Sequence, residues 1–452
     1  MKKVLVVCNH FAPENILGAI RPTKLAKYLQ REGYDIFVLA EKVDYDVIDP
    51  TLERDARNLK VQYVKSPWYF SLLYKLYRKF ETKINSRKSN FDPTTGVRST
   101  GEHSLFKHVL GLFRLIANIG YVVDKFKQRM LARKAVKAFS HEYYDVVFTS
   151  YPNYFSLMFG LAYKKKFKDT KWIVDLRDPL WGESFTATTK AKVLTRRDKI
   201  FAHIVYDKCD YIVSVTNHMS DNIPDQYDAK KMTITSGFDK EDKQHIDEKK
   251  MEKLAFYFTG GLLGGKRDYS VLFQAIRELS EEGLLNLQNI DIIYTGHKHD
   301  YEMFMSQIKP YGLEMLVYYP HKRIPRQEAL TLQSGSSILV MGDFDIQENP
   351  AGTRPGKTYE YMLAGKPVIA IICGSIKKSE LSQVIKLCGM GFAYEDSNKL
   401  HDYPALKEYV LDQYKSVIKN GNVIYTPNQD ELDRYDYKNL IKALGSIIAD
   451  YN

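Results

Sequence analysis

The chain has 452 residues, of which 44% are hydrophobic and 27% are charged, a balance that excludes a disordered or fibrous protein and predicts two domains of ordinary size. Lys and Arg number 66 against 55 Asp and Glu, so the net charge is +11. Residues 71–140 alone hold 15 basic and 4 acidic residues, so the excess charge is local and argues against a general nucleic-acid-binding surface.

The first part of the chain alternates short strands and helices. Val4–Cys8 is a continuous apolar run, which is typical of a strand in a parallel sheet that is covered on both faces. The same reasoning predicts, in chain order, helix Arg21–Arg31, strand Asp35–Leu39, strand Asp145–Thr149, helix Phe155–Lys165, strand Trp172–Asp175, helix Lys199–Lys208, strand Tyr211–Val215 and strand Met232–Thr235.

Residues 68–138 do not follow this rhythm. They are aromatic and basic, and two amphipathic pieces, Trp68–Lys83 and Phe106–Lys137, flank an irregular centre at Ser86–Ser104. We predict an insertion between two strands. Because basic amphipathic helices bind anionic lipid head groups, the insertion is either a membrane-binding surface or a solvated helical hairpin or oligomer contact.

The rhythm restarts after the polar stretch Asp239–Lys250. The second set comprises strand Leu254–Phe258, helix Tyr269–Leu279, strand Ile290–Tyr294, helix Tyr301–Lys309, strand Glu314–Tyr318, helix Arg326–Gln333, strand Ser337–Met341, helix Thr358–Leu363 and strand Pro367–Ile372. We therefore predict an α/β protein with two Rossmann-like domains, residues 1–240 and 251–428, facing each other across a cleft. Residues 429–452, with a helical pattern at Tyr435–Asp450, are expected to cross back to the first domain.

The cysteines and the hydropathy pattern bear on the cellular compartment. Cys8, Cys209, Cys373 and Cys388 lie far apart without a C-x-x-C pair, which argues against a zinc site or a disulfide framework and favours a reducing cytosol. The longest near-apolar window, residues 109–123, contains Arg114 and Asn118 and is shorter than the roughly 20 apolar residues that span a bilayer. We expect a cytoplasmic protein, with the inner face of the cell membrane as an alternative location.

A glycine-rich segment follows the predicted strand Leu254–Phe258 and precedes a predicted helix. Glycines let the backbone approach a ligand, and amides at a helix start attract anions. The candidate residues are Gly260, Gly261, Gly265, Lys266 and Arg267. They predict a phosphate-binding loop, with a solvated glycine turn as the alternative. Because Arg267 stands where the loop of nucleoside triphosphatases needs Ser or Thr to hold Mg²⁺, an ATPase or kinase is disfavoured.

The segment Pro355–Ile369 is a second candidate. Pro355 and Gly356 interrupt the chain, a helix begins, and Glu360 lies within its first turns. A carboxylate at this place can accept both hydroxyls of a ribose. Ordinary electrostatics at a helix start would explain the same residue.

Two further segments lie at predicted strand ends. Asp175-Leu-Arg-Asp178 places carboxylates where open α/β sheets bind ligands, and Trp181 could offer an aromatic platform for a sugar. An ion pair between Asp175 and Arg177 is the structural alternative. The loop Phe11–Pro22 lacks G-x-G-x-x-G, which disfavours an NAD enzyme, although Gly18 could approach a ligand held by the other domain.

Two short patterns suggest metals only weakly. Asp343-Phe-Asp345 has the D-x-D form of some metal sites, but we interpret it as a solvated loop. His297 and His299 are expected to be exposed rather than metal-bound. We predict no metal and no cofactor.

The order of these segments resembles the retaining, GT-B fold glycosyltransferases of family 4 (the glycosyl transferase group 1 type), in particular bacterial members that build surface polysaccharides. The resemblance covers most of the chain and rests on segments Phe11–Leu29, Asp175–Asp178, Cys209–Thr216, Ser236–Asp239, Gly260–Asp268 and Pro355–Pro367. The chain departs from the family pattern at Gly352, where many members carry a glutamate, and Arg354 or Lys357 could supply compensating contacts.

The resemblance implies a role for each candidate residue. Lys266 and Arg267 would neutralise the donor diphosphate, Glu360 would bind its ribose, Gly18 would face the diphosphate, and Asp178 would lie by the transferred sugar. The expected function is transfer of a sugar from a nucleotide-sugar donor to a glycan or lipid-linked acceptor. A non-catalytic nucleotide-sugar-binding protein is the alternative, and a phosphate-loop ATPase or kinase is less favoured.

Overall fold

The computed structural model of the protein describes residues 1–42, 47–65, 103–139, 141–180, 192–243, 252–320, 324–344 and 354–450, with side chains from residue 121 in the third of these ranges and from residue 196 in the fifth. Several predicted features lie outside these residues: Trp68–Lys83, most of Ser86–Ser104, Trp181, Asp345 and Gly352.

The first domain is a seven-stranded parallel sheet with helices packed against it. The strands are β1 (Lys3–Cys8), β2 (Asp35–Glu41), β3 (Lys60–Val64), β4 (Val146–Tyr151), β5 (Lys171–Leu176), β6 (Tyr211–Ser214) and β7 (Lys231–Thr233), in the spatial order β3-β2-β1-β4-β5-β6-β7. The helices are α1 (Leu17–Arg31), α2 (Pro50–Ala56), α3 (His103–Phe139), α4 (Tyr154–Lys166), α5 (Lys192–Lys208) and α6 (Asn217–Asp221). All side chains of β4 and β5 are buried, as expected for a parallel sheet covered on both faces.

The second domain repeats this plan with six parallel strands. They are β8 (Leu254–Thr259), β9 (Ile290–Thr295), β10 (Val317–Tyr318), β11 (Ile338–Phe344), β12 (Val368–Cys373) and β13 (Gly391–Glu395), in the order β10-β9-β8-β11-β12-β13. The helices are α7 (Ser270–Glu281), α8 (Lys298–Ile308), α9 (Arg326–Gly335), α10 (Lys357–Ala364), α11 (Glu380–Leu387), α12 (Lys399–Asn420), α13 (Gln429–Asp433) and α14 (Tyr437–Ala449). The predicted architecture of two successive α/β sets is confirmed.

Two helices extend the core of the first domain. Leu131, Ala135 and Phe139 of α3 are buried in the apolar cluster that covers one face of the first sheet. On the other face, α14 packs beside α1 and buries Ile441 and Leu444. Among the residues that the structure describes, no helix combines the length and the apolar character needed to cross a bilayer.

The chain passes between the two domains twice, and the two passages lie side by side. The amide of Phe238 donates to the carbonyl of Tyr435 (3.0 Å), and the amide of Tyr437 donates to the carbonyl of Phe238 (2.9 Å). A Cβ on Gly237 would stand 2.2 Å from the Tyr435 carbonyl oxygen. Only glycine therefore allows the two passages to pair this closely.

Several sequence-based boundaries were wrong. Helix α1 begins at Leu17, one turn before the predicted Arg21, so Gly18 lies in a helix rather than in a loop. Strand β10 has only two residues because Glu314–Leu316 form a turn of 3₁₀ helix. The sequence analysis also missed β3, β13, α2, α11 and α12.

The structural alternative of an ion pair between Asp175 and Arg177 is wrong as well. Asp175 is fully buried and instead accepts from Arg21, at 2.7 Å from Nη2 and 3.1 Å from Nε, and from Ser150 Oγ at 2.9 Å. Arg21 also donates to the carbonyls of Ile234 and Thr235. The pair thus ties β5 to α1 and to the segment that follows β7.

We predict that Asp175→Ala lowers the free energy of unfolding of the first domain by about 3–5 kcal/mol, because it leaves the buried Arg21 guanidinium without its carboxylate. All three tryptophans, Trp68, Trp172 and Trp181, belong to this domain, so a urea titration followed by tryptophan fluorescence measures it. Asp35→Ala is the matched control. It breaks the exposed pair with Lys60 and should change this free energy by less than about 1 kcal/mol. Equal losses in the two variants would contradict the prediction.

Candidate functional site

Each sheet reverses its strand order at one point. In the first sheet the reversal lies between β1 and β4, and in the second it lies between β8 and β11. Open α/β sheets bind ligands in the crevice at the carboxyl ends of the strands at such a point. The glycine-rich segment follows β8, so the sequence places its anion-binding features at the reversal of the second sheet.

The loop that follows β8 is held by the neighbouring strand β9. Gly260 has φ +85°, its amide donates to the Thr295 carbonyl (2.9 Å), and its carbonyl accepts from the Tyr294 hydroxyl (2.9 Å). Gly264 and Gly265 also have positive φ angles, +70° and +84°. Since residues other than glycine rarely adopt positive φ angles, the shape of the loop depends on these three glycines.

Lys266 and Arg267 lie at the end of this loop. The ammonium of Lys266 is exposed and stands 5.3 Å from the ring centroid of Phe344, the last residue of β11. Arg267 Nη1 donates to the Gly261 carbonyl (2.9 Å), and within the described part of the chain no hydrogen bond reaches its buried Nε. Both cations therefore sit at the reversal point between β8 and β11.

Lys357 and Glu360 come from the first turn of α10. The Lys357 ammonium is buried and donates to the Thr259 carbonyl at the start of the loop. Burial lowers the pKa of Lys357 to about 7, and the positive charge of Arg267 adds to the effect, while Glu360 opposes it. A Cβ on Gly260 would come within 3.1 Å of the Lys357 nitrogen. The loop and the start of α10 thus form one cationic site that contains Glu360.

Gly18, Arg177 and Asp178 form the facing group on the first domain. Arg177 Nη1 donates to the Gly18 carbonyl (2.6 Å), and its Nε donates to the Tyr151 carbonyl (3.0 Å). Asp178 is half-buried. Burial raises the pKa of its carboxyl, and the positive charge of Arg177 lowers it by a smaller amount. The first turn of α1 therefore lies beside the carboxyl ends of β4 and β5.

One residue of each group, Arg177 and Glu360, lines a small cavity between the domains, whereas Gly18, Asp178, Lys266, Arg267 and Lys357 are not among its lining residues. Its volume is about 70 Å³, and its lining includes Leu17 and Arg177 from the first domain and Gly356 and Glu360 from the second. Leu17 Cδ1 stands 3.8 Å from the place of a Cβ on Gly356. The N-terminal ends of α1 and α10 consequently meet at this cavity.

Sequence analysis missed three residues that shape the site. His10 follows β1, its Nδ1 lies 2.8 Å from Glu14 Oε2, and its Nε2 lies 3.1 Å from Nδ2 of the Asn9 side chain. Asp300 Oδ1 accepts from the Leu262 amide of the loop (2.8 Å). Arg326, the first residue of α9, donates to Glu360 Oε1 (3.1 Å). The position of His10 after a strand was a usable signal, whereas the contact between Arg326 and Glu360 is not visible in the sequence.

Three smaller expectations can be compared with the structure. Asp343 is fully buried in β11 rather than in a solvated loop, so that interpretation was wrong. His297 and His299 are exposed, as expected. Arg354, which the sequence suggests as a compensating contact, has its Nη2 3.7 Å from Glu380 Oε2 and its guanidinium 5.8 Å from the Tyr435 ring centroid.

One group of acidic side chains in the described residues has metal-like spacing. It consists of Asp55, Asp239 and Glu241. The ammonium groups of Lys24 and Lys27 lie within hydrogen-bond distance of these carboxylates. Burial raises the pKa of Asp239, but the positive charges and hydrogen bonds of the two lysines together bring that pKa below its ordinary value. These acids therefore belong to a buried ion-pair cluster.

The chain shares its fold with proteins of known structure. No protein-family model and no curated protein matches this chain. Solved structures do match, including a glycosyltransferase from Rickettsia africae (TM-score 0.52, 12% identity, 100% of this chain and 98% of that chain). WaaG, a glycosyltransferase involved in lipopolysaccharide biosynthesis, also matches (TM-score 0.53, 12% identity, 99% of this chain and 100% of that chain).

A third match is described as trehalose-6-phosphate from E. coli bound with UDP-2-fluoro glucose (TM-score 0.58, 11% identity, 99% of each chain). The similarity extends over the whole of both domains in each case. The chain therefore has the GT-B fold of two Rossmann-like domains, and the predicted fold class is confirmed.

We predict that Lys357→Met removes part of the pH dependence of stability. The folded-state pKa of Lys357 is about 7, below its ordinary value of 10.5, so between these pH values the folded chain binds fewer protons than the unfolded chain. Stability from this group therefore rises with pH, by up to about 1.4 kcal/mol per unit.

Thermal unfolding followed by circular dichroism between pH 7 and pH 9 measures this slope. Lys253→Met is the control, because Lys253 lies exposed at the opposite end of β8. The slope should fall in Lys357→Met and stay at the wild-type value in Lys253→Met. A wild-type slope in Lys357→Met would show that the ammonium is not desolvated.

Proposed function

We propose that the protein is a glycosyltransferase that takes a sugar from a nucleotide-sugar donor, retains the anomeric configuration and needs no metal. The observation that carries the proposal is the cationic loop after β8 joined to Glu360 through the buried Lys357. It lies at the strand-order reversal, where α/β sheets bind nucleotides. The resemblance to family 4 and the shared fold with glycosyltransferases support the same activity.

In the proposed reaction the bond between the anomeric carbon and the β-phosphate oxygen breaks. A new bond forms on the same face between that carbon and an acceptor hydroxyl oxygen, and the hydroxyl proton passes to the departing phosphate. Negative charge grows on the nucleoside diphosphate as it leaves. Lys266, Arg267 and the loop amides are placed to stabilise that charge, and preorganised donors of this kind typically contribute ~10²–10³ in rate each.

Glu360 lines the cavity, and the roles of Glu360, Gly18 and Asp178 are those that the resemblance to family 4 implies. Glu360 would accept the ribose hydroxyls, and the first turn of α1 at Gly18 would face the diphosphate from the first domain. Asp178 would lie beside the transferred sugar. No carboxylate is assigned as a covalent nucleophile, and the transition state would be oxocarbenium-like between the closed domains.

We predict that Lys266→Ala with Arg267→Ala reduces sugar transfer and donor hydrolysis by at least ~10²-fold. The measurement is release of the nucleoside diphosphate from a panel of nucleotide sugars. Lys253→Ala is the control, since it removes an exposed lysine from the other end of β8. Undiminished turnover in the double variant would refute the assignment, and donor binding without turnover in the wild type would favour a non-catalytic binding protein.

For the acceptor, we propose a glycan or lipid-linked molecule of cell-surface polysaccharide synthesis, reached at an anionic membrane surface. A groove of about 1020 Å³ lies between α3, α4 and α5. Its floor is apolar and includes Met158, Leu161 and Phe201. Its cations are Arg129, Arg133, Lys164, Lys165, Lys168 and Lys208, and its acid is Asp207. An apolar floor with a basic rim matches lipid chains beneath anionic head groups.

We predict that reversing Arg129, Arg133 and Lys165 to Glu weakens binding to phosphatidylglycerol vesicles by at least tenfold, because each basic residue near such a surface contributes about 1 kcal/mol. Vesicle flotation measures the binding. The control reverses three exposed cations elsewhere, Lys60, Lys253 and Arg277, for the same change in net charge. Equal binding of the two variants, or no binding of the wild type, would remove the membrane proposal.

A further inference from the structure

Arg326 joins the two domains at the edge of the cavity. It begins α9 in the second domain, and its Nε donates to Glu360 Oε1 at 3.1 Å. Its other nitrogens reach the first domain and the junction, with Nη1 2.9 Å from Thr51 Oγ1 and both Nη atoms 3.4 Å from Asp242 Oδ2. One guanidinium thus contacts the candidate ribose-binding carboxylate and two residues from outside its own domain.

The contacts of Arg326 are protected from solvent. Its side chain is 10% exposed, and those of Asp49 and Asp242 are fully buried. Burial alone would lower the pKa of Arg326, but Glu360, Asp242 and Asp49 raise it above its ordinary value. Because partly desolvated charges attract each other strongly, a shift of one domain against the other changes the forces on Glu360.

The bond to Glu360 fixes the carboxylate through one oxygen. Arg326 uses Oε1, which leaves Oε2 for a ligand in the cavity that Glu360 lines. A carboxylate held in this way keeps one orientation without losing its capacity to accept from a hydroxyl. Guanidinium groups suit this task because their donors are fixed in one plane.

Asp49 shows that the contact between the domains is incomplete. Among the described residues no hydrogen bond reaches Asp49 Oδ2, although this atom is buried. It lies 3.6 Å from Arg326 Nη1, beyond the 2.7–2.9 Å typical of charged hydrogen bonds. A closer approach of the domains by less than ~1 Å would complete the bond.

We infer that Arg326 is a positioning residue that couples closure of the two domains to the orientation of Glu360 for the ribose of the donor. The inference rests on the proposed function. Closure strengthens the bond between Arg326 and Asp49, and the same guanidinium holds Glu360 in its ligand-accepting orientation. By linkage, a ligand bound to Glu360 favours the closed arrangement to the same degree.

The test is a double-mutant cycle on nucleotide binding. UDP, ADP and GDP are titrated calorimetrically into the wild type, and the nucleotide that binds is used as the probe for Arg326→Ala, Glu360→Gln and the double variant. Each single substitution should weaken binding roughly tenfold, within the usual range of coupling between sites. The double variant should bind no more weakly than Glu360→Gln alone, because Arg326 acts through Glu360. Additive losses would overturn the inference.

A second variant tests the link to the first domain. Asp49→Asn keeps an oxygen that can cap α2, where Asp49 Oδ1 accepts from the Thr51 amide (2.9 Å), but it removes the charge facing Arg326. It should raise the KM for the nucleotide sugar severalfold while kcat changes little, although Asp49 is not assigned to the donor. An unchanged KM would overturn the coupling.

Controls separate these effects from loss of structure. Arg277→Ala removes an exposed arginine from α7 and should leave nucleotide binding at the wild-type value. Arg326→Lys keeps the positive charge but lacks the planar set of guanidinium donors. This variant should therefore fold like the wild type but bind the nucleotide more weakly. If none of the three nucleotides binds the wild type, the proposed function is wrong and the inference with it. Tight wild-type binding that Arg326→Ala does not weaken would refute the inference alone.

Discussion

The position of the domain junction against the first domain depends on a buried cluster of charges. Lys24 and Lys27 project from α1 and pair with Asp239 and Asp242 at the domain junction and with Asp55 of α2, at distances of 2.5–2.9 Å. Apolar contacts tolerate sliding because they are not directional. A buried ammonium displaced from its carboxylates loses several kcal/mol, so the cluster holds the junction in one position against α1 and α2.

This arrangement determines the geometry of the candidate site. Helix α1 carries the lysines of the cluster in its middle and Gly18 in its first turn. A helix is rigid over this length, so holding Lys24 and Lys27 against the junction also sets the distance from Gly18 to the facing helix α10. Arg326 extends the cluster from Asp242 to Glu360, which connects the second domain to the same network.

The sequence predicted the fold well because the relevant signals are local. Continuous apolar strands, glycine turns and helix starts are read within about ten residues, and they located the loop after β8 and the start of α10. The sequence did not predict pairs whose members are far apart in the chain. Asp175 is 154 residues from Arg21, and Asp242 is 84 residues from Arg326. An Asp175–Arg177 pair looked plausible because the two residues are close in the chain, but Arg177 lies beyond the end of β5 and donates to the carbonyls of Tyr151 and Gly18.

The distribution of charge in the site follows from these pairings. The carboxylates of Asp300 and Glu360 border the cationic loop: Asp300 accepts from the Leu262 amide, and Glu360, which accepts from Arg326, opposes the lowering of the pKa of Lys357. Lys266, Arg267 and Lys357 place three basic side chains around this loop, and burial, with a smaller effect of Arg267, lowers the pKa of Lys357 to about 7. A cationic site of this kind reduces the stability of the chain. A diphosphate would supply the missing negative charge, so the groups that destabilise the fold would be the ones that bind the donor and stabilise the leaving group.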